Sequence, residues 1–185
     1  MKLTAIVLVL CMLTGCSSHG QSLDRIAQLR TQLIDAKQCT FAASVSAYYT
    51  EDVYQFQVNC SVDNTGTLSF TVTAPETILG ITGNISNDGA DLTFDNEVLA
   101  FPIMADERIS PVSAPWVFYN TLRCGYLSGY AETSEGNLLS MDDSFQENPL
   151  HLEIQTDENY VPLNAQIYYR QKMVLALEIQ DFSLA

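Results

Sequence analysis

Residues 39–62 read CTFAASVSAYYTEDVYQFQVNCSV, and their period decides the fold. Cys39, Phe41, Ala43, Val45 and Ala47 alternate with Thr40, Ala42, Ser44 and Ser46. Beyond Tyr49-Thr50-Glu51-Asp52, the residues Tyr54, Phe56, Val58, Cys60 and Val62 alternate with Gln55, Gln57, Asn59 and Ser61. Successive strand side chains point to opposite faces, so a period of two with one apolar set predicts an antiparallel hairpin with one buried face. Pairing around the turn brings Cys39 close to opposite Cys60. Directly opposed β-carbons lie about 5 Å apart, against roughly 4 Å in a disulfide, so the pair is either two buried thiols or a disulfide.

Downstream the same pattern continues. Asp63-Asn64-Thr65-Gly66 is a tight-turn signal, a third strand follows through Leu68, Phe70 and Val72, and Pro75 ends it. Residues 81–86 and 91–95 form another short hairpin about Asn87-Asp88-Gly89. Residues 110–125, SPVSAPWVFYNTLRCG, break the β pattern: Ser110 or Ser113 can cap a helix, Pro111 or Pro115 suits its first turn, and Gly125 sits at its stop. Strands return around 126–132, 138–141, 150–155, 160–169 and 172–182, the last two turning at Arg170-Gln171. The fold class is therefore α+β, a strongly curved antiparallel sheet (an open half-barrel of about 9–11 strands) covered by two α-helices.

Upstream, Ser22 is a good N-cap for SLDRIAQLRTQLIDAKQ, in which Leu23, Ile26, Leu29, Leu33 and Ile34 fall at helical spacing. Before it, Lys2 and the apolar run Leu3 to Leu13 lead into Leu13-Thr14-Gly15-Cys16, a signal-peptide layout. About eleven apolar residues make a helix of roughly 16 Å, too short for a hydrocarbon core of about 30 Å. Leu13-Thr14-Gly15-Cys16 resembles the bacterial lipobox, which implies removal of residues 1–15 and acylation of Cys16. The organisation expected is a signal peptide (1–15), a lipidated tether (16–21) and one domain (22–185). Two or more acyl chains hold a protein durably at a membrane, so the expected location is the extracytoplasmic face of the cell membrane.

The 185 residues carry 8 Lys and Arg against 22 Asp and Glu, a formal net charge of −14. Such a surface lacks the basic footprint of a nucleic-acid binder and repels polyanions. No GxGxxG, phosphate loop or HExxH is present, and Gly125-Tyr126-Leu127-Ser128-Gly129 places its serine wrongly for a nucleophile elbow. His19 falls in the tether and His151 on the polar side of a strand, while Asp142-Asp143 and Glu51-Asp52 lack calcium-loop spacing. Cys39, Cys60 and Cys124 form no CxxC pair for zinc. Neither an enzyme, nor a metal site, nor a cofactor is expected; a monomer is.

Lipobox, amphipathic helix, run of antiparallel strands, inserted helix and closing hairpin together resemble the LolA/LolB/RseB superfamily of envelope proteins. FTVTAPETILGITGNIS (70–86), SPVSAPWVFYNTLRCGYL (110–127) and DENYVPLNAQIYYRQKMVLALEIQDF (157–182) are more specifically similar to small lipoproteins of Firmicutes. The resemblance implies a half-barrel whose helices cover a space for acyl chains. Phe41, Val45, Tyr54, Phe56, Val58, Phe70 and Val72 would then line the cavity, with Trp116, Val117 and Tyr119 as its lid. The same side chains would equally fill a dry core. The expected function is a membrane-anchored lipoprotein binding lipid or another hydrophobic ligand; the alternative is an interaction or sensory lipoprotein with a filled core that binds an envelope protein, with a patch among Tyr48, Tyr49, Tyr168 and Tyr169.

Overall fold

The computed structural model describes residues 18–49, 52–105 and 107–185, with side chains from residue 22 onward. The signal segment 1–15, the acylation candidate Cys16 and most of the tether lie outside the described residues. Helix α1 spans Ser18–Asp35. It starts ahead of the expected N-cap: Ser22 is buried within it and donates from its hydroxyl to Glu132 at 3.3 Å. Ile26, Leu29 and Leu33 form its buried stripe.

Strands β1 (Gln38–Tyr49) and β2 (Asp52–Asp63) are the predicted hairpin. Its register places Cys39 opposite Val62 and Cys60 opposite Phe41, because Tyr49 pairs with Asp52 around a two-residue connection. The two cysteines are diagonal neighbours, a relationship of about 7–8 Å in an antiparallel pair, and both thiols are free and buried. The disulfide alternative is thereby corrected.

Then come β3 (Leu68–Ala74), β4 (Thr82–Ser86), β5 (Gly89–Phe94) and β6 (Glu97–Phe101), a two-stranded ribbon of β7 (Met104–Ala105) and β8 (Arg108–Ile109), and helix α2 (Ala114–Cys124). The chain closes with β9 (Tyr126–Thr133), β10 (Gly136–Asp142), β11 (Leu150–Thr156), β12 (Pro162–Tyr169) and β13 (Lys172–Leu184). Eleven strands form one antiparallel sheet in the order β6-β5-β4-β3-β2-β1-β13-β12-β11-β10-β9. Two meanders thus meet where β1 pairs with β13, and the sheet stays open between its edges β6 and β9.

Turn chemistry explains the sharp reversals. Asp63 accepts the backbone N–H groups of Thr65 and Thr67 and the Thr65 hydroxyl, which holds its carboxyl below the usual range. Arg170 and Gln171 both adopt positive φ (49° and 64°), the geometry that matches strand twist in a two-residue hairpin. The segment from β6 to β9 crosses the concave face from one sheet edge to the other and carries α2 with it. Among the described residues no helix is long and apolar enough to cross a membrane.

Candidate functional site

Helix α2 occupies the hollow of the half-barrel. Trp116, Val117, Phe118, Tyr119 and Leu122 are all buried, so more than one side of the helix faces protein. Phe118 and Leu122 are wholly inaccessible, and the Phe118 ring meets Phe41 edge-on at 5.7 Å between centroids. Phe41 also stacks on Phe182 at 5.9 Å. Val45, Phe56, Val58, Phe70 and Val72 join the same buried cluster. Nine of the ten residues expected to line a cavity or its lid are therefore buried among one another beneath α2. Tyr54 is the exception: it is 56% exposed. It faces inward beside Ala47 but lies beyond the cover of α2, its ring 6.0 Å from that of Tyr49.

Three anchors hold α2 down. Trp116 donates its indole N–H to the Gly66 carbonyl at 3.2 Å. The Tyr119 hydroxyl donates to the Leu33 carbonyl, and burial pushes its pKa up to about 12. Arg30 on α1 donates to the carbonyls of Arg123 and Gly125, where the C-terminal end of α2 concentrates partial negative charge. Gly66 and Asn64, in the β2–β3 turn, lie under Trp116 and Arg123, so α2 covers that end of the hollow.

The opposite end carries the β1–β2 and β12–β13 turns and is bridged by the β7–β8 ribbon. Here a pocket of about 380 Å³ is walled by Tyr49, Ile109, Tyr169, Val174 and Leu175. The Tyr49 hydroxyl donates to the Ile109 carbonyl at 3.1 Å, and burial raises its pKa against the opposing influence of Arg108. Glu107 accepts two hydrogen bonds from Arg170, each 2.7 Å, and the Arg170 guanidinium stands 5.2 Å from the Tyr169 ring centre. Arg108, Arg170 and Lys172 at this rim are three of only eight Lys and Arg in the chain. Apolar walls and a charged rim suit binding of a ligand with an apolar portion. Of the four tyrosines expected to form a patch, Tyr48, Tyr49 and Tyr169 line this pocket. Tyr168 instead faces outward, donating to Gln166 at 2.6 Å. The ribbon escaped notice in the sequence because two-residue strands carry no period.

Elsewhere, the Tyr130 hydroxyl lies 2.8 Å from Asn137 Oδ1, 3.2 Å from Glu132 Oε1 and 3.3 Å from the Tyr160 hydroxyl, and burial raises its pKa. Nδ1 of His151 lies 2.8 Å from Asp142 Oδ1 at the solvent-facing side of β10 and β11. Cys39 and Cys60 are held protonated by burial, Cys39 with its pKa up to about 12, whereas Cys124 is exposed. Among the described residues no group of three or more His, Cys, Asp or Glu could hold a metal ion.

No family model and no curated protein sequence matches the chain. Among solved structures, a DUF1329 family protein from Desulfovibrio piger superposes with a TM-score of 0.50 at 7% identity, over 87% of this chain and 90% of that one. A LolA superfamily protein from Nitrosomonas europaea gives a TM-score of 0.47 at 7% identity, over 86% and 93%. An uncharacterised conserved protein from Thermus thermophilus gives 0.47 at 14% identity, over 91% and 88%. At 7% identity the first likeness is one of fold.

Proposed function

We propose that this chain, whose fold is LolA/LolB/RseB-like, is a lipoprotein of the cell envelope, anchored through Cys16 on the extracytoplasmic face, that binds a hydrophobic ligand. The observation behind this is the 380 Å³ pocket at the end of the half-barrel left uncovered by α2. Its volume falls within the range of small-molecule sites, which starts at about 300 Å³. Leu175 at its base belongs to the buried core. A ligand's apolar part would lie against Tyr49, Ile109 and Val174, and its polar part at the rim of Arg108, Arg170 and Lys172.

The test is native mass spectrometry of the chain purified gently from its own host, with lipid extraction. An acyl-bearing species retained by the native chain and lost from Val174→Trp, a variant that fills the pocket, supports the proposal. An empty native chain, or a species kept equally by Val174→Trp, overturns it.

A second reading has its own support. Leu79, Phe94, Val98 and Leu99 are each about half or more exposed, and Val98 and Leu99 lie on the edge strand β6. Exposed apolar side chains on a strand with one free edge suit docking of an envelope protein. Val98→Lys with Leu99→Lys would abolish such docking and leave the pocket ligand in place; loss of the ligand alone, with docking kept, would speak against it.

A further inference from the structure

The outward face of the sheet centre carries a trough with a pattern of its own. Along the middle of β1 the outward residues are Ala42, Ser44 and Ser46, all small. Their partners on β2 are Asn59, Gln57 and Gln55, all amides. On the other side Ser46 faces Ala176 of β13, and Ala176 faces Gln166 of β12. The rung thus reads Gln55, Ser46, Ala176, Gln166: long, short, short, long. The next rung reads Gln57, Ser44, Glu178, Asn164, Gln155 across five strands. Small floors between long walls leave a depression of about 640 Å³ with Tyr48 at one end. A smaller hollow of about 90 Å³ continues it along β1 past Ala42 toward Gln180.

The chemistry of this lining narrows what it can hold. No Lys or Arg lines it and Glu178 does, in a chain of net charge −14, so anionic polymers and anionic membrane surfaces are repelled. Strands β2, β1, β13 and β12 are paired on both sides, so their backbone groups are spent and an extended peptide cannot add as a further strand. What remains is a set of side-chain amides, each both donor and acceptor, between hydroxyls and one aromatic ring. Several are already oriented: Gln55 donates to Ser46 at 3.2 Å, Asn164 to Gln155 at 3.4 Å, and Gln166 accepts from Tyr168 at 2.6 Å. Paired donors and acceptors match hydroxyl groups, which also do both, and Tyr48 offers a face for the apolar side of a ring. From Ala42 to Tyr48 the trough runs about 20 Å at roughly 3.3 Å per residue, long enough for several linked rings.

We propose that this outward trough is a second binding site, for a neutral oligosaccharide, adjoining the pocket at the open end of the half-barrel through Tyr48, which lines both. The rungs of amides grip hydroxyls along the chain, and the small floor of Ser44, Ser46 and Ala176 admits the rings.

The test is NMR of the ¹⁵N-labelled full chain, following the side-chain NH₂ signals of Gln55, Gln57 and Gln166. The probes are chitotetraose, maltotetraose and cellotetraose, with tetragalacturonate and a neutral Ala/Ser peptide as comparators. Saturable shifts with at least one neutral sugar, absent with the uronate, are expected. Ala176→Gln and Ser46→Gln, which raise the floor at outward positions, should each weaken binding by at least about tenfold with the melting temperature unchanged. If one variant fails to fold, the other carries the comparison. No shift with any neutral sugar up to roughly 10 mM, binding unaltered in the folded variants, or shifts produced by the peptide alone would overturn the proposal.

Discussion

Tyr119 on α2 donates its hydroxyl hydrogen to the carbonyl of Leu33 on α1, 3.3 Å away and 86 positions apart in the chain. The Leu33 carbonyl is one of the orphan acceptors of the α1 C-terminus, since the Lys37 N–H turns to the Ala185 carbonyl instead. Tyr119→Phe keeps the ring and strands that acceptor. A loss of about 1–2 kcal/mol by urea denaturation is expected, with the m-value unchanged. Tyr54→Phe, at an exposed ring, should move stability by less than about 0.5 kcal/mol.

Alkaline pH should weaken the fold through its buried acids. Cys39 rises from an ordinary 9.0 to about 12, Cys60 rises as well, and Tyr119 rises from 10.0 to about 12, each mainly by burial. Above pH 9 the unfolded chain sheds these protons while the folded chain keeps them, so stability falls with rising pH, by at most about 1.4 kcal/mol per unit for each group. The contribution is complete below pH 9 and gone once the folded groups ionise. Urea midpoints from pH 8 to 10 should slope downward, and Cys39→Ala with Cys60→Ala should flatten that slope whatever it does to the midpoint at pH 8.

Arg30→Ala withdraws a charged donor from two carbonyls at the end of α2. About 1.5–3 kcal/mol should be lost. Arg30→Lys should recover only part, because an ammonium cannot reproduce the fork. Equal recovery by lysine would mean that charge at the helix end, rather than the paired donors, holds α2.

Gly66 adopts a φ of +88°, and a β-carbon there would stand 2.6 Å from Arg123 Nη1. Gly66→Ala should cost about 1–3 kcal/mol from the backbone conformation and the clash together. In an Arg123→Ala background the clash disappears and the conformational part remains, so the double mutant should cost less than the sum of the two single substitutions.

Phe118→Ala removes the ring that plugs the hollow and should cost about 3–5 kcal/mol. The space left is lined by apolar core, so the variant should stay dry and regain stability on adding a small apolar compound such as benzene, which leaves the parent chain unchanged. A parent chain stabilised equally by benzene would place free volume under α2 from the start.

The hairpin of residues 39–62 and the helix around Trp116 were legible because alternation and helical spacing are local properties of sequence. Where α2 lies across the hollow is not local. Tyr54 carries the same inward parity as Phe56 and Val58, and only the position of α2 makes it exposed while they are buried. Strand β6, EVLAF, has no polar alternation and is short, so it gave no period to read. The cysteine register turned on where the turn is centred: Tyr49 pairs with Asp52, which sets Cys39 opposite Val62 rather than Cys60. The outward trough was hidden for a different reason: Gln55, Gln57 and Ser46 look like the ordinary polar half of an alternating strand until the order of five strands places them side by side.

The pairing of β1 with β13 also bears on the order in which the molecule can be made. Among the described strands β1 leaves the ribosome first, and its second neighbour, β13, leaves last. Until β13 is synthesised, the β1–β6 and β9–β12 meanders can form but cannot join, and β1 presents a bare edge with its inward row of Phe41, Val45 and Ala47. A product cut short before Lys172 would keep that edge permanently open and should be caught by proteases or by its own kind. The seam between β1 and β13 thus ties the two meanders into one sheet, and the fold depends on a contact between strands far apart in sequence.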